Sequence, residues 1–172
     1  MATPQVVRIL GFDPGSRRTG FGVIERSAGG RLTYVASGSI VLGALAFNDR
    51  LRRLYSTASA LVREQAPDEI SIERVFMHRN ADSALKLGHA RAALICATFA
   101  DDVPVFEYAA REVKQTVTGS GAAAKSQVAH MVCRLLGVQG DLGADAADAL
   151  AIAICHAHCR SRPKLDATAE RS

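Results

Sequence analysis

Val6-Val7-Arg8-Ile9-Leu10-Gly11-Phe12-Asp13-Pro14-Gly15-Ser16 puts a carboxylate at the end of a buried strand. The run from Val6 to Phe12 is mostly apolar and β-branched, with Arg8 inside it, and reads as that strand. Asp13 ends the run, and Pro14-Gly15-Ser16 forces a turn. Gly20 to Glu25 reads as a second strand, and Leu32 to Val41 as a third with partial alternation. Connections this short imply antiparallel hairpins.

Beyond Val41 the pattern turns helical. Leu51, Leu54, Tyr55, Ala58, Leu61 and Val62 recur at helical spacing, and Ala66-Pro67 stops the helix. Ile70 and Ile72 alternate with Ser71 and Glu73 as a fourth strand. Asn80, Asp82 or Ser83 can cap a long helix running to about Asp101, whose wide apolar arc contains small residues. Pro104 to Glu107 is a short fifth strand. Helices are expected from Ala109 to Thr118, from Ala122 to Leu136 with Gly137 as its stop, and from Asp145 to Arg160. The order predicts an α/β fold, a mixed five-stranded sheet with helices on both faces. One domain is expected over residues 1–161, with a polar, flexible tail over 162–172.

Four carboxylates then stand out. Asp13 and Glu73 end two strands, and they meet if those strands are parallel neighbours. Asp145 and Asp148 share one face at the start of a helix. Like charges gathered at one edge raise each other's pKa, and a hard divalent cation resolves the conflict. Taken singly, each has an ordinary reading: Asp13 as a turn residue, Asp145 as a helix cap, Asp148 placed against the helix dipole, Glu73 as a solvated strand end.

Composition sets the outer limits. The 172 residues are 48% hydrophobic and 22% charged, an ordinary balance for a soluble globular protein. The apolar stretches are short and broken by charge, so none reads as membrane-spanning, and Met1 to Leu10 lacks the signature of a signal peptide; the expected compartment is the cytoplasm. Cys96, Cys133, Cys155 and Cys159 read as reduced, buried thiols. The formal charge of +4 fits a polyanionic partner without requiring one.

Longer motifs carry a family resemblance. Gly11-Phe12-Asp13-Pro14-Gly15-Ser16 followed by Thr19-Gly20-Phe21-Gly22 resembles the opening motif of the RuvC family of Holliday junction resolvases, the crossover junction endodeoxyribonucleases. Ile72-Glu73-Arg74-Val75-Phe76-Met77 with Asn80-Ala81-Asp82-Ser83-Ala84-Leu85-Lys86-Leu87-Gly88 is similar to the family's second signature. Glu107 to Arg111 through Val113-Lys114-Gln115-Thr116-Val117 is similar to its third, and Lys125-Ser126-Gln127 and Asp145 to Ala151 complete the series. The resemblance implies a ribonuclease H-like fold, a homodimer and a magnesium-binding catalytic quartet of Asp13, Glu73, Asp145 and Asp148. Two ions per site are implied, with manganese able to substitute. It further implies symmetric hydrolysis of two opposing strands of four-way junction DNA in recombination and repair, together with a RuvA–RuvB branch-migration complex.

The same resemblance assigns Lys114 and Lys125 to the DNA backbone and the scissile phosphate; apart from it they read as solvated helix lysines. Lys86 and Arg91 carry the same two readings. Phe76, flanked by Met77, His78 and Arg79, is a candidate base-stacking ring, against the alternative that it folds into the core. Cys155, His156, His158 and Cys159 lack a second ligand pair at zinc spacing; Cys155 is expected in the core and the histidines at the surface or an interface. Three rivals remain. Asp13-Pro14-Gly15 also resembles the phosphate loop of actin-like and sugar kinases, whose duplicated lobes would not fit in this length. A ribonuclease H acting on RNA–DNA hybrids shares the fold and the metal logic. A junction-binding scaffold without catalysis is the third.

Overall fold

The structure, a computed structural model, describes residues 6–74 and 80–160. The connection bearing Phe76, His78 and Arg79, and the expected tail over 162–172, lie outside the described residues.

Five strands form one mixed sheet in the order β3-β2-β1-β4-β5. β1 (Val7–Asp13), β2 (Arg18–Arg26) and β3 (Leu32–Val41) make the expected antiparallel meander. β4 (Glu69–Glu73) returns beside β1 in parallel, and β5 (Val105–Tyr108) lies parallel to β4. The parallel pairs need crossovers, which α1 (Phe47–Gln65) and α2 (Ala81–Cys96) supply.

Each strand sorts its residues by parity. Leu10 and Phe12 of β1 and Ile70 and Ile72 of β4 pack with Leu54, Ala58 and Val62 of α1 and Ala90 and Leu94 of α2. Val7 and Ile9 face the other way, against α3 (Ala110–Thr118), α4 (Lys125–Leu136) and α5 (Ala144–Cys159). That alternation sends Asp13 and Glu73 to the α5 side, because each lies an even number of residues from a neighbour already facing it. Helices therefore cover both faces, as the element order predicts.

α5 is buried almost all round, between the sheet and the pair α3 and α4. A helix in that place must be apolar on every side. Its alanines allow close approach, and the sheet answers with glycines. A Cβ on Gly11 would stand 2.3 Å from the Ala149 carbonyl oxygen, and one on Gly20 would stand 2.0 Å from that of Asp145. Both sites require a residue without a side chain.

Several boundaries differ from the sequence-based expectation. α1 begins four residues before Leu51, at Phe47. Ala66 ends it in the left-handed region at φ 43, its amide donating to the Val62 carbonyl, and Pro67 then keeps the helix from continuing. The expected helix to Asp101 divides into α2 and a single 3-10 turn at Phe99–Asp101. Asn80 is the cap of α2, its side chain accepting from the Ser83 amide at 3.1 Å. α4 starts at Lys125 rather than Ala122, because the residues before it complete a turn held by Gln115 and Thr118. Gly137 ends α4 at φ 65, as expected. All four cysteines are free, but only Cys155 is buried; Cys96 is exposed.

Candidate active site

Parity and register build the site. Phe12 of β1 lies opposite Ile72 of β4, so Asp13 and Glu73 follow side by side at the same edge. The N-terminal end of α5 brings Asp145, in its first turn, and Asp148, about a turn further on, to that edge. Asp145 does not cap the helix: Gly143 holds the cap position and Asp145 lies inside the first turn, where a carboxylate also complements the helix dipole.

A cleft of about 240 Å³ is lined by Asp13, Glu73 and Asp148 together with Lys114 and Lys125. Five of the seven predicted site residues thus share one hollow. Asp145 does not line this cleft but a neighbouring hollow, with Arg18, Ser37, Ser39 and Asp141. Phe76 lies outside the described residues.

The electrostatics are those of crowded carboxylates. Burial, then the charges of Glu73 and Asp148, push the Asp13 carboxyl up to about 7, with Lys125 opposing and Asp145 adding to the rise. Lys125 Nζ donates to Asp148 Oδ2 at 2.7 Å, and that bond holds its ammonium above the usual lysine range. Arg18 Nη1 donates to Asp145 Oδ2 at 3.4 Å. Among the described residues no three such side chains converge as a ready-made cation cage, and two of the carboxylates are engaged by these basic groups. The donor set is nevertheless all oxygen, and the cleft groups several carboxylates of one sign, which fits a hard divalent cation.

The other basic candidates separate. Lys86 pairs with Asp82 along α2. Arg91 pairs with Glu107 of β5, which also reaches Arg74 at 3.9 Å, so it braces α2 against the strand end that carries Glu73.

His156 contradicts its expected surface position: only 1% of it is exposed. Its Nδ1 lies 2.7 Å from the Tyr108 hydroxyl and its Nε2 lies 2.7 Å from Glu69 Oε2. Both contacts are satisfied by a neutral ring that accepts from Tyr108 and donates to Glu69. Burial lowers its pKa against the opposing pull of Glu69. Arg160 forks onto both Glu69 oxygens at 2.7 Å. Burial alone would raise the Glu69 pKa, but the bonds from Arg160 and His156 outweigh it and lower it. The network ties the C-terminal half of α5 to β4 and β5. Sequence reasoning missed it because periodicity did not mark α5 as enclosed at this point, although the nearly unbroken apolar run before His156 was the available signal. His158 is exposed as expected, and Cys155 lies in the core.

Comparison with known proteins agrees with this geometry. The family model for crossover junction endodeoxyribonuclease RuvC matches residues 9–156. The RuvC of Methylococcus capsulatus is 52% identical over 155 residues, covering 90% of this chain and 93% of that protein. The RuvC of an Enterobacter species is 57% identical over 150 residues, covering 87% of this chain and 86% of its own. Among solved structures, Thermus thermophilus RuvC in complex with Holliday junction substrate superposes with a TM-score of 0.83 at 30% identity, over 90% of this chain and 94% of that one. The yeast mitochondrial Holliday junction resolvase Ydc2 superposes with a TM-score of 0.63 at 13% identity, over 88% of this chain and 79% of its own, a likeness of fold alone. The fold is accordingly ribonuclease H-like, and the chain belongs to the RuvC family of crossover junction endodeoxyribonucleases.

Proposed function

We propose that this protein resolves Holliday junctions by hydrolysing one phosphodiester in each of two opposing strands, in homologous recombination and DNA repair. The observation that carries the reading is the juxtaposition of Asp13 and Glu73 on adjacent parallel strands, facing the helix terminus that bears Asp145 and Asp148, beneath Lys114 and Lys125. Asp13, Glu73, Asp145 and Asp148 are the residues that would hold magnesium, two ions per site in this reading, with manganese as a substitute. When bound, the metal supplies positive charge to the oxygens of the phosphate under attack. Lys125 and Lys114 bind phosphate oxygens and offset the charge that builds there. The cleft walls, Val113, Val128 and Ala151, limit water around the reacting group. Water adds to phosphorus and the bond to the 3′ oxygen breaks. The products carry a 5′ phosphate and a 3′ hydroxyl, as a ligase requires. Phe76, on the connection after Glu73, is the candidate ring for stacking on an opened base; Phe76→Ala should slow cutting of intact junctions while leaving the fold unchanged, and an unchanged rate would remove that role.

A homodimer follows the same logic, since a two-fold protein offers two sites to a nearly two-fold substrate. The solvent side of α2 supports it: Ala81, Leu85, Gly88, Ala92 and Cys96 recur at helical spacing, and all are exposed. A small, apolar stripe lets a second helix approach closely. The reading includes a cytoplasmic site of action, a nuclease contained in residues 1–161, and partnership with a RuvA–RuvB branch-migration complex.

The test is cleavage of a labelled four-way junction with magnesium, beside a linear duplex and an RNA–DNA hybrid of matching sequence. Paired symmetric nicks in the junction alone are expected. Cutting of the hybrid instead would keep the metal chemistry and move the substrate to that of ribonuclease H. Tight junction binding without cutting in magnesium or manganese would overturn the enzymatic reading in favour of a scaffold.

A further inference from the structure

Both carboxylates of the α5 terminus are held by a basic side chain, and the two holders differ in kind. Lys125 lines the cleft and reaches Asp148 from inside it. Arg18 stands outside, in the hollow of about 380 Å³ on the other side of Asp145, with the hydroxyl-bearing Ser37 and Ser39 and the carboxylate of Asp141. Its side chain is 59% exposed and that of Asp145 is 34% exposed, and they meet at 3.4 Å through Nη1 and Oδ2. Such a pair is weak. It is also fixed in place by the backbone: Arg18 begins β2, and Gly20, two residues on, is pressed against the Asp145 carbonyl. Strand and helix pack closely there, and the exposed guanidinium can leave Asp145 by turning its own long stem towards solvent without any movement of the backbone.

We propose that Arg18 competes with a divalent cation for Asp145 and so sets how tightly the active site loads. This rests on the reading of Asp145 as a cation-holding residue. The physical conflict is direct. The carboxylate oxygen that accepts from Nη1 has less electron density to offer a metal, and guanidinium, which has no acceptor of its own, repels the ion without ever joining its ligand set. Arg18 therefore weakens loading in the free protein. Once displaced, it is a phosphate-binding cation at the rim of the site, on the side of Asp145 away from Lys125.

The experiment is equilibrium binding of Mn²⁺ by titration calorimetry to chelator-stripped protein in low and high KCl, with no DNA present. Arg18→Ala is expected to bind Mn²⁺ about two- to five-fold more tightly than wild type, the size set by an exposed ion pair. The gain should shrink in high salt, where screening has already weakened the pair. Arg18→Lys keeps the charge and should stay near wild type. Arg63→Ala, in the last turn of α1, makes the same change in net charge far from the edge and should leave binding unaltered. If Arg18→Ala binds no more tightly than Arg63→Ala, the proposal is overturned. Asp145→Asn separates the two layers. Weakened Mn²⁺ binding in that variant keeps Asp145 as a ligand whatever Arg18 does, whereas unchanged binding removes that reading and the proposal with it.

Discussion

Asp13 is the residue on which the site turns, and its environment makes a pH signature. In the folded chain its carboxyl titrates at about 7, against an ordinary value of 3.8, first because it is buried and then because Glu73 and Asp148 face it. Between those two values the folded state binds a proton that the unfolded state has released. Stability without divalent cations therefore falls as pH rises through that window, by an amount on the order of a few kcal/mol. Asp13→Asn removes the dependence. Melting in EDTA at pH 5 and pH 8 should show the wild type losing stability relative to the variant, and parallel curves would contradict the burial and charge argument. The same titration gives a binding prediction: Mn²⁺ affinity should climb as pH rises through about 7, then level off. At this scale the sequence was legible where chemistry and position coincide. Asp13 before Pro-Gly and Glu73 ending an alternating run both announced strand-end carboxylates. Arg18 did not, because nothing in its neighbours says that the start of β2 touches a helix 127 residues later.

At the scale of elements, α5 does two tasks with its two ends. Its N-terminus presents Asp145 and Asp148, and its C-terminal half is locked by His156 to Tyr108 and Glu69. Gly20 sets the depth of the first end, since a methyl group there would collide with the Asp145 carbonyl. Gly20→Ala should cost about 1–3 kcal/mol, as overpacking usually does. It should also lower the cutting rate of the still-folded fraction, because the collision displaces both carboxylates. A variant that melts lower but cuts at the wild-type rate would mean that α5 adjusts elsewhere. The second end is tested by His156→Ala, which strands the Tyr108 hydroxyl, leaves Glu69 Oε2 with Arg160 alone and should cost roughly 2–4 kcal/mol. The sign with pH is the reverse of that for Asp13. An unfolded histidine gains its proton near 6.5 while the folded one resists, so this contribution is lost as pH falls below that value; Glu69, held below 4.5, extends the loss further into acid. The wild type should lose stability between pH 7.5 and pH 5 more steeply than the variant. The sequence carries a nearly unbroken apolar run before His156, yet the burial of α5 depended on α3 and α4 packing over it, and no local pattern states where three separate helices meet.

On the scale of the whole molecule, the mixed sheet and the two helical layers followed from element order, because short links force hairpins and long ones permit parallel return; the strand order did not, since link length does not say which edge a returning strand joins. What periodicity does not state is the assembly. The exposed small-residue stripe of α2 predicts that Ala92→Arg, which places a bulky charge within it, gives a monomer by sedimentation while the melting temperature stays near wild type. A persistent dimer would send the interface to another face. The monomer should still nick junctions but lose paired, symmetric cutting, since the second site no longer arrives with the first. The central claim is that the sheet-edge carboxylates perform the hydrolysis, and the most direct measurement compares Asp13→Asn with wild type on one labelled four-way junction, scoring binding and cutting in the same samples with magnesium. Retained junction binding with cutting reduced at least about a thousandfold is the predicted result, as expected when a group acting on the transition state is removed; cutting at the wild-type rate by that variant would contradict the account.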